Sequence, residues 1–221
     1  MNGIGPIDSR MLRFVRLTAA ESGTHATELT TEFPFRNRFH HCARVAFLAM
    51  EIAEAEGANT DVAAVSGLFH DCKKAKGSDH ALESAKICDS YLKQNCLLSS
   101  VADRIVDCVR NHSATTSIDK SAYPADLAVL KDADLLDEAG AIGIMWTLLG
   151  SGMATPKSYN EAFVRLLEIH GTSTIEKRLN EMNTYTGKSM MQERITREQR
   201  FLTSLHEELR INQFDPNEEA T

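Results

Sequence analysis

The chain is poor in aromatic residues and proline, has no paired cysteine motif, and has no long apolar run. Only 6% of its 221 residues are Phe, Trp or Tyr, and five are Pro. Ala, Leu, Glu and Ile are plentiful, a balance that disfavours sheet and favours helix. The five cysteines, Cys42, Cys72, Cys88, Cys96 and Cys108, are odd in number and none stands in a C-x-x-C pair. That argues against a disulfide scaffold or a thiolate zinc site, and they read as reduced, mostly buried small residues. No segment reaches the roughly 18 apolar residues of a membrane span. The stretch MNGIGPIDSR lacks the charged-then-apolar layout of a secretory signal, so a cytoplasmic location and no membrane partner are expected. A basic surface is missing too. The net charge of −7 gives no general attraction to nucleic acid, and no such partner is expected.

What is present suits a globular protein: 43% hydrophobic and 25% charged residues, in a length fitting one sizeable domain with room for an extension. No segment alternates apolar and polar residues as a strand would, so the expected fold class is all-α. An amphipathic pattern covers 7–21, and Pro34 makes TEFPFRNR a turn. A strong helix runs from Phe39 to Glu56, and Asn59-Thr60-Asp61 caps the next, which ends at Phe69-His70-Asp71. CKKAKGSD reads as a loop, with Ser78 or Asp79 capping a helix from His80 to about Gln94. Ser100-Val101-Ala102-Asp103 resembles a capping box for a helix ending near His112. Pro124 opens a long helix reaching towards Gly150. Further helices are expected near 158–169, 173–183 and 190–210, with INQFDPNEEAT as a frayed tail.

The chemistry-bearing stretch is VSGLFHDCKK, an apolar run ending in His70-Asp71 and two lysines. With eight histidines and thirteen aspartates, chance supplies roughly half such a pair, so it gains meaning only from partners elsewhere. Adjacent helical side chains diverge by about 100°, so His70 and Asp71 reach one ion only from an irregular helix end. His41 shares a stripe with Arg44, Val45, Leu48 and Ile52 and is expected to point inward. LAVLKDADLLD supplies three carboxylates, Asp132, Asp134 and Asp137. Asp134 shares a face with Leu127, Leu130, Asp137 and Ala141, but periodicity alone does not choose it over Asp132. A buried carboxylate is costly without a partner, and a divalent metal relieves that cost. Mixed imidazole and carboxylate donors suit Mn or Fe best, without distinguishing them from Mg, Ni or Zn.

The ordered set H-x-x-R-V (His41 to Val45), His70-Asp71 and D-A-D-x-L-D-x-x-G-A-I-G (Asp132 to Gly143) resembles the HD-domain metal-dependent phosphohydrolase superfamily. More narrowly it is similar to the small stand-alone bacterial HD hydrolases, whose late T-x-x-G-x-x-x-x-x-x-R element is approached here by Thr186-Gly187 through Arg194. The likeness spans roughly residues 35 to 210. It departs where Cys72-Lys73-Lys74 follows the pair in place of the frequent Ile-Gly, and where Leu135 replaces an arginine. The resemblance implies a compact helical HD fold with the metal between core helices. Residues 1–34 would be a helical extension, 35–150 the metal-binding core, and 151–221 helices packed on the same domain.

It also implies one divalent metal ion held by His41, His70, Asp71 and Asp134, with Asp137 orienting the attacking water. His112 and His80 correspond to residues near the substrate and the metal, and metal binding by both would make a two-metal site. Arg44, Lys73 and Lys74 are candidates to hold phosphate, each set against a plain ion pair or a solvated loop. The implied activity is metal-dependent hydrolysis of a small phosphorylated compound, a nucleotide first, with a homodimer left open. Alternatives are a metal- or nucleotide-binding regulatory module without turnover, and a hydratase or di-iron oxygenase of the HD type.

Overall fold

Eight consecutive residues, Val62 to Phe69, are buried, so the helix that ends at His70 is apolar on every side and must lie between other helices. It is α3 (Thr60–Phe69) of ten helices found among the described residues of the computed structural model. The others are α1 (Ser9–Glu21), α2 (Arg38–Glu56), α4 (His80–Gln94), α5 (Ala102–Asn111), α6 (Ala125–Asp137), α7 (Ala141–Gly150), α8 (Tyr159–His170), α9 (Thr172–Glu181) and α10 (Tyr185–Leu209). The structure describes residues 5–21, 38–74, 79–114, 123–150 and 158–209. Most of TEFPFRNR, the middle of the CKKAKGSD loop and the INQFDPNEEAT tail lie outside them. The all-α expectation holds, with no strand among the described residues, and none of their helices is long and apolar enough to cross a membrane.

Two units divide the chain: Met1–Asp137 with Met182–Lys188, and Glu138–Glu181 with Ser189–Thr221. In the first, α2 and α6 flank α3, and α5 also packs on it. Gly67 permits a close approach of α3 to α2, because a Cβ there would sit 2.7 Å from the Ala46 Cα on α2. Met11, Val15 and Ala19 of α1 are fully buried, and Phe14 meets Phe69 and Tyr91 ring to ring. Asn59 caps α3 by accepting from the Val62 N–H at 2.9 Å, and Asp79 caps α4 through the Leu82 N–H at 3.1 Å.

Two local expectations fail. Val101, not Ser100, stands at the N-cap of α5, and no side chain caps it, so the capping box does not form. The long helix expected from Pro124 to Gly150 is two helices, α6 and α7. Gly140 breaks it with a φ of +74°, a left-handed conformation that costs glycine little, and its N–H leaves the helical pattern for Glu198 Oε1 at 2.6 Å.

That bond belongs to the second unit. There Ile144, Phe163, Leu166 and Leu202 form an apolar cluster, and the buried Glu198 also receives the Arg178 guanidinium at 2.5 and 3.0 Å. His170 bridges Glu198 Oε1 (3.2 Å from Nδ1) and the Thr147 hydroxyl (2.8 Å from Nε2), tying α7, α8 and α10 together.

Candidate metal centre

Within the first unit, α2, α3, α4, α5 and α6 bring four histidines and three aspartates together. His41 comes from α2 and His70 from the residue after α3, while His80 opens α4 and His112 follows α5. The α6 carboxylates are Asp134 and Asp137. Asp71 lies in the turn after α3, where the chain has left helical geometry, so adjacent His70 and Asp71 can face one region. Among the described residues, three overlapping groups place one donor atom per residue within 4.8 Å of each other: His41, His70, Asp71; His70, His112, Asp134; and Asp71, His80, His112.

Both oxygens of Asp71 face imidazole. Oδ2 lies 3.7 Å from His41 Nε2 and 3.9 Å from His70 Nε2, and Oδ1 is 3.4 Å from both His80 Nε2 and His112 Nε2. Asp134 Oδ1 completes the first side, 3.3 Å from His41 Nε2 and 3.4 Å from His70 Nε2. Asp71 is 1% exposed, whereas the Asp134 side chain is 31% exposed, so the cluster opens to solvent on the Asp134 side.

The hydrogen bonds behind the rings set which nitrogens carry protons. His70 Nδ1 is 2.8 Å from the Gly67 carbonyl and His112 Nδ1 is 2.7 Å from the Val109 carbonyl. A carbonyl only accepts, so each Nδ1 carries a hydrogen and each ring turns its Nε2 towards the aspartates. His41 differs. Its Nδ1 donates to Asp137 Oδ2 at 2.8 Å and its Nε2 lies 3.1 Å from His70 Nε2. Burial works against its charge, but Asp134 and Asp137 outweigh that and push its pKa up to about 9, while burial pushes His70 down. One ring nitrogen therefore donates to the other.

The carboxylates are held ionised. Burial opposes the charge on Asp71, but His70, His112, Arg38 and Lys74 keep it well below the usual carboxylate range. Asp134 is likewise depressed against its burial, chiefly by His70 and His41. Asp71 Oδ1 is nevertheless buried without a hydrogen-bond partner. His112 Nε2 and His70 Nε2 each stand 3.4 Å from a carboxylate oxygen, of Asp71 and Asp134, too far for a good hydrogen bond. A cation relieves that arrangement, and mixed imidazole and carboxylate donors are what a divalent transition metal accepts. The residues present fit a metal ion.

The remaining sequence candidates sort themselves by geometry. Asp137 is buried with both oxygens engaged: Arg44 grips it through two bonds of 2.7 and 2.8 Å, and His41 takes the other direction on Oδ2. Lys74 reaches Asp71 Oδ2 at 2.8 Å, whereas Lys73 gives its backbone N–H to Ser84 Oγ. Asp132 is buried away from the cluster, with four donors on it: the Asn183 N–H and Nδ2 at 2.8 and 2.7 Å, and the Thr184 N–H and hydroxyl at 2.8 and 2.7 Å. Burial pushes its carboxyl up, against these donors. The threonine that matters in the late motif is therefore Thr184, two residues ahead of the expected Thr186. Gly187 belongs to the same clasp, since a Cβ there would lie 2.3 Å from Asp132 Oδ2.

Sequence reasoning missed Arg38. Its NH1 donates to Asp71 Oδ2 at 2.8 Å, and its side chain is 16% exposed. The available signal was its place one helical turn before His41 on the same face of α2.

Residues 38–139 match the family described as HD domain. No curated protein matches the chain. Its fold is similar to a predicted HD superfamily hydrolase from an uncultured Thermotogales bacterium (20% identity, 90% of this chain and 92% of that one, TM-score 0.59). It is also similar to Bacillus subtilis YpgQ in complex with ADP (21% identity, 90% and 95%, TM-score 0.60). An HD-superfamily hydrolase from Bacillus thuringiensis is similar as well (20% identity, 89% and 99%, TM-score 0.59).

Proposed function

We propose that this chain, an HD-domain protein, is a divalent-metal-dependent phosphohydrolase acting on a small phosphorylated compound, a nucleotide first. One observation carries the reading: four imidazole Nε2 atoms, of His41, His70, His80 and His112, converge on the oxygens of Asp71 and Asp134, and the buried Asp71 Oδ1 has no hydrogen-bond partner. Our assigned ligands are His41, His70, Asp71 and Asp134, with Mn or Fe as the favoured ion. When bound, a divalent ion supplies a water of lowered pKa and neutralises charge on phosphoryl oxygens.

The chain's own residues do the rest. Asp137 locks the His41 ring by accepting from Nδ1, and Arg44 holds Asp137 in turn. Lys74, 42% exposed beside Asp71, and Arg44, 41% exposed, offer positive charge to the non-reacting phosphoryl oxygens. Asp134 stands at the open side, where a ligand enters. Phosphoryl transfer asks for this kind of positioning and charge, with little covalent chemistry from the protein. The nucleotide preference draws on the ADP bound by YpgQ, a fold relative, and a cytoplasmic setting fits such a substrate.

A second reading of the same site adds a second ion. Asp71 Oδ1, buried and without a hydrogen-bond partner, lies equally near His80 Nε2 and His112 Nε2. In that case His112 and His80 would be ligands, with Asp71 belonging to both groups of donors.

Metal analysis of the purified chain, followed by a panel of nucleoside mono-, di- and triphosphates with added Mn²⁺, tests both readings. About one ion per chain is expected, or two if the second group fills. Metal binding without turnover of any phosphorylated compound would overturn the hydrolase and leave a regulatory module.

A further inference from the structure

Asp71 Oδ2 accepts from two side-chain cations at once, Arg38 NH1 and Lys74 Nζ, each at 2.8 Å. A carboxylate oxygen offers about two lone-pair directions, so these contacts saturate it. The same oxygen faces His41 and His70 across the gap that the metal-site reading assigns to a divalent ion. An ion ligated through Oδ2 must therefore displace one of the two side chains from it.

The two cations are not equivalent. Lys74 is 42% exposed and can turn its ammonium to water. The Arg38 side chain is 16% exposed, and its Nε is buried without a hydrogen-bond partner. A guanidinium cannot shed its charge, so once moved from Asp71 it needs another anion close by. Its planar fork matches two oxygens of a phosphoryl group, and its place one turn before His41 puts it beside the reacting end of a bound ligand.

We propose that Arg38 couples the two binding events: it yields Asp71 Oδ2 to the divalent ion and takes phosphoryl oxygens of the ligand instead. The inference rests on the metal-site reading and adds to it a ligand-positioning residue and a sign of coupling. Ion and phosphorylated ligand each raise the other's affinity, and by linkage they do so by the same factor.

The test is equilibrium dialysis of Mn²⁺ against the full chain, with and without inorganic phosphate, for the wild type, Arg38→Met and Arg38→Lys. Phosphate is expected to raise wild-type Mn²⁺ affinity by about fivefold or more, the lower end of ordinary coupling. Arg38→Met should bind Mn²⁺ alone more tightly than the wild type, because a competitor for Oδ2 is gone, and should lose the phosphate effect. Weaker Mn²⁺ binding by the folded Met variant, or a phosphate effect of wild-type size in it, would overturn the proposal. If Arg38→Met does not fold, Arg38→Lys decides. That variant keeps a cation on Asp71 but lacks the fork, so it should show wild-type Mn²⁺ affinity and lose most of the phosphate effect, and a full effect overturns the coupling. Absence of any phosphate effect in the wild type sinks this inference alone, whereas absence of Mn²⁺ binding in the wild type sinks the metal site itself.

Discussion

His112 Nε2 lies 3.4 Å from Asp71 Oδ1, while the other nitrogen of the ring is 2.7 Å from the Val109 carbonyl. The carbonyl keeps a hydrogen on Nδ1 and fixes the ring, so Nε2 faces a carboxylate oxygen that has no hydrogen-bond partner. Asp71 Oδ2 faces His41 and His70 on its other side. One buried aspartate thereby joins two groups of donors contributed by separate helices.

Replacing that aspartate should remove metal from the whole site. Asp71→Asn is expected to lower Mn²⁺ affinity by more than about 100-fold, beyond what losing a residue that only orients a ligand costs. Asp137→Asn, which loosens the orientation of the His41 ring and the grip of Arg44 but removes no ligand, should cost about 10- to 100-fold. Both are read by equilibrium dialysis, with circular dichroism to show that the helices persist.

Asp132 and Asp134 should separate cleanly. Asp134→Ala is expected to lose metal while unfolding near the wild-type midpoint, because its side chain is partly exposed and its partners are the site's histidines. Asp132→Ala orphans four donors from Asn183 and Thr184 and should cost about 2–4 kcal/mol of stability. Urea unfolding beside metal content distinguishes the two, and equal loss of metal at equal stability would contradict the assignment.

Gly67 is a packing prediction with a functional readout. The added methyl of Gly67→Ala meets the α2 backbone at Ala46, so α2 and α3 must separate. We expect a loss of about 1–3 kcal/mol, together with weaker metal binding, because His41 and His70 ride on the two helices being parted. A variant with wild-type thermal midpoint and wild-type Mn²⁺ affinity would show that the approach is not needed.

A pH effect is expected within the second unit. Burial disfavours the charge on Glu198, but His170 and Arg178 outweigh it and lower its pKa from 4.5 to about 2. A depressed acid stabilises the fold fully above its unfolded pKa. The contribution is lost as pH falls from about 4.5 towards 2, and it amounts to about 3 kcal/mol. Urea unfolding at pH 6 and at pH 3 should show the loss, and Glu198→Gln should flatten this part of the profile. An unchanged acid limb in that variant would assign the effect to other carboxylates.

Periodicity and capping chemistry are local, and they carried most of the helical architecture. The α2 stripe, the Asn59 cap and the ends of α3 and α4 were legible because each depends on residues within a turn or two. The ordered motif also pointed to His41, His70, Asp71 and the α6 aspartates as a group. The sequence went wrong where a distant partner decides. Gly140 splits the expected long helix because its N–H is claimed by Glu198, 58 positions away, and Ser100 does not cap α5.

The same distinction separates Asp132 from Asp134. They sit two positions apart on one helix, and no period tells which is a ligand. Helix packing turns Asp134 towards His41 and His70 and sets Asp132 against Asn183 and Thr184, more than fifty positions downstream. Arg38 was hidden for a related reason: an arginine at a helix start is unremarkable until the fold places Asp71 against it. The sequence by itself determined the all-α class and the kinds of donor available. Only the tertiary structure decided which donors face one another, because a lone pair's direction depends on the hydrogen bond made behind the ring.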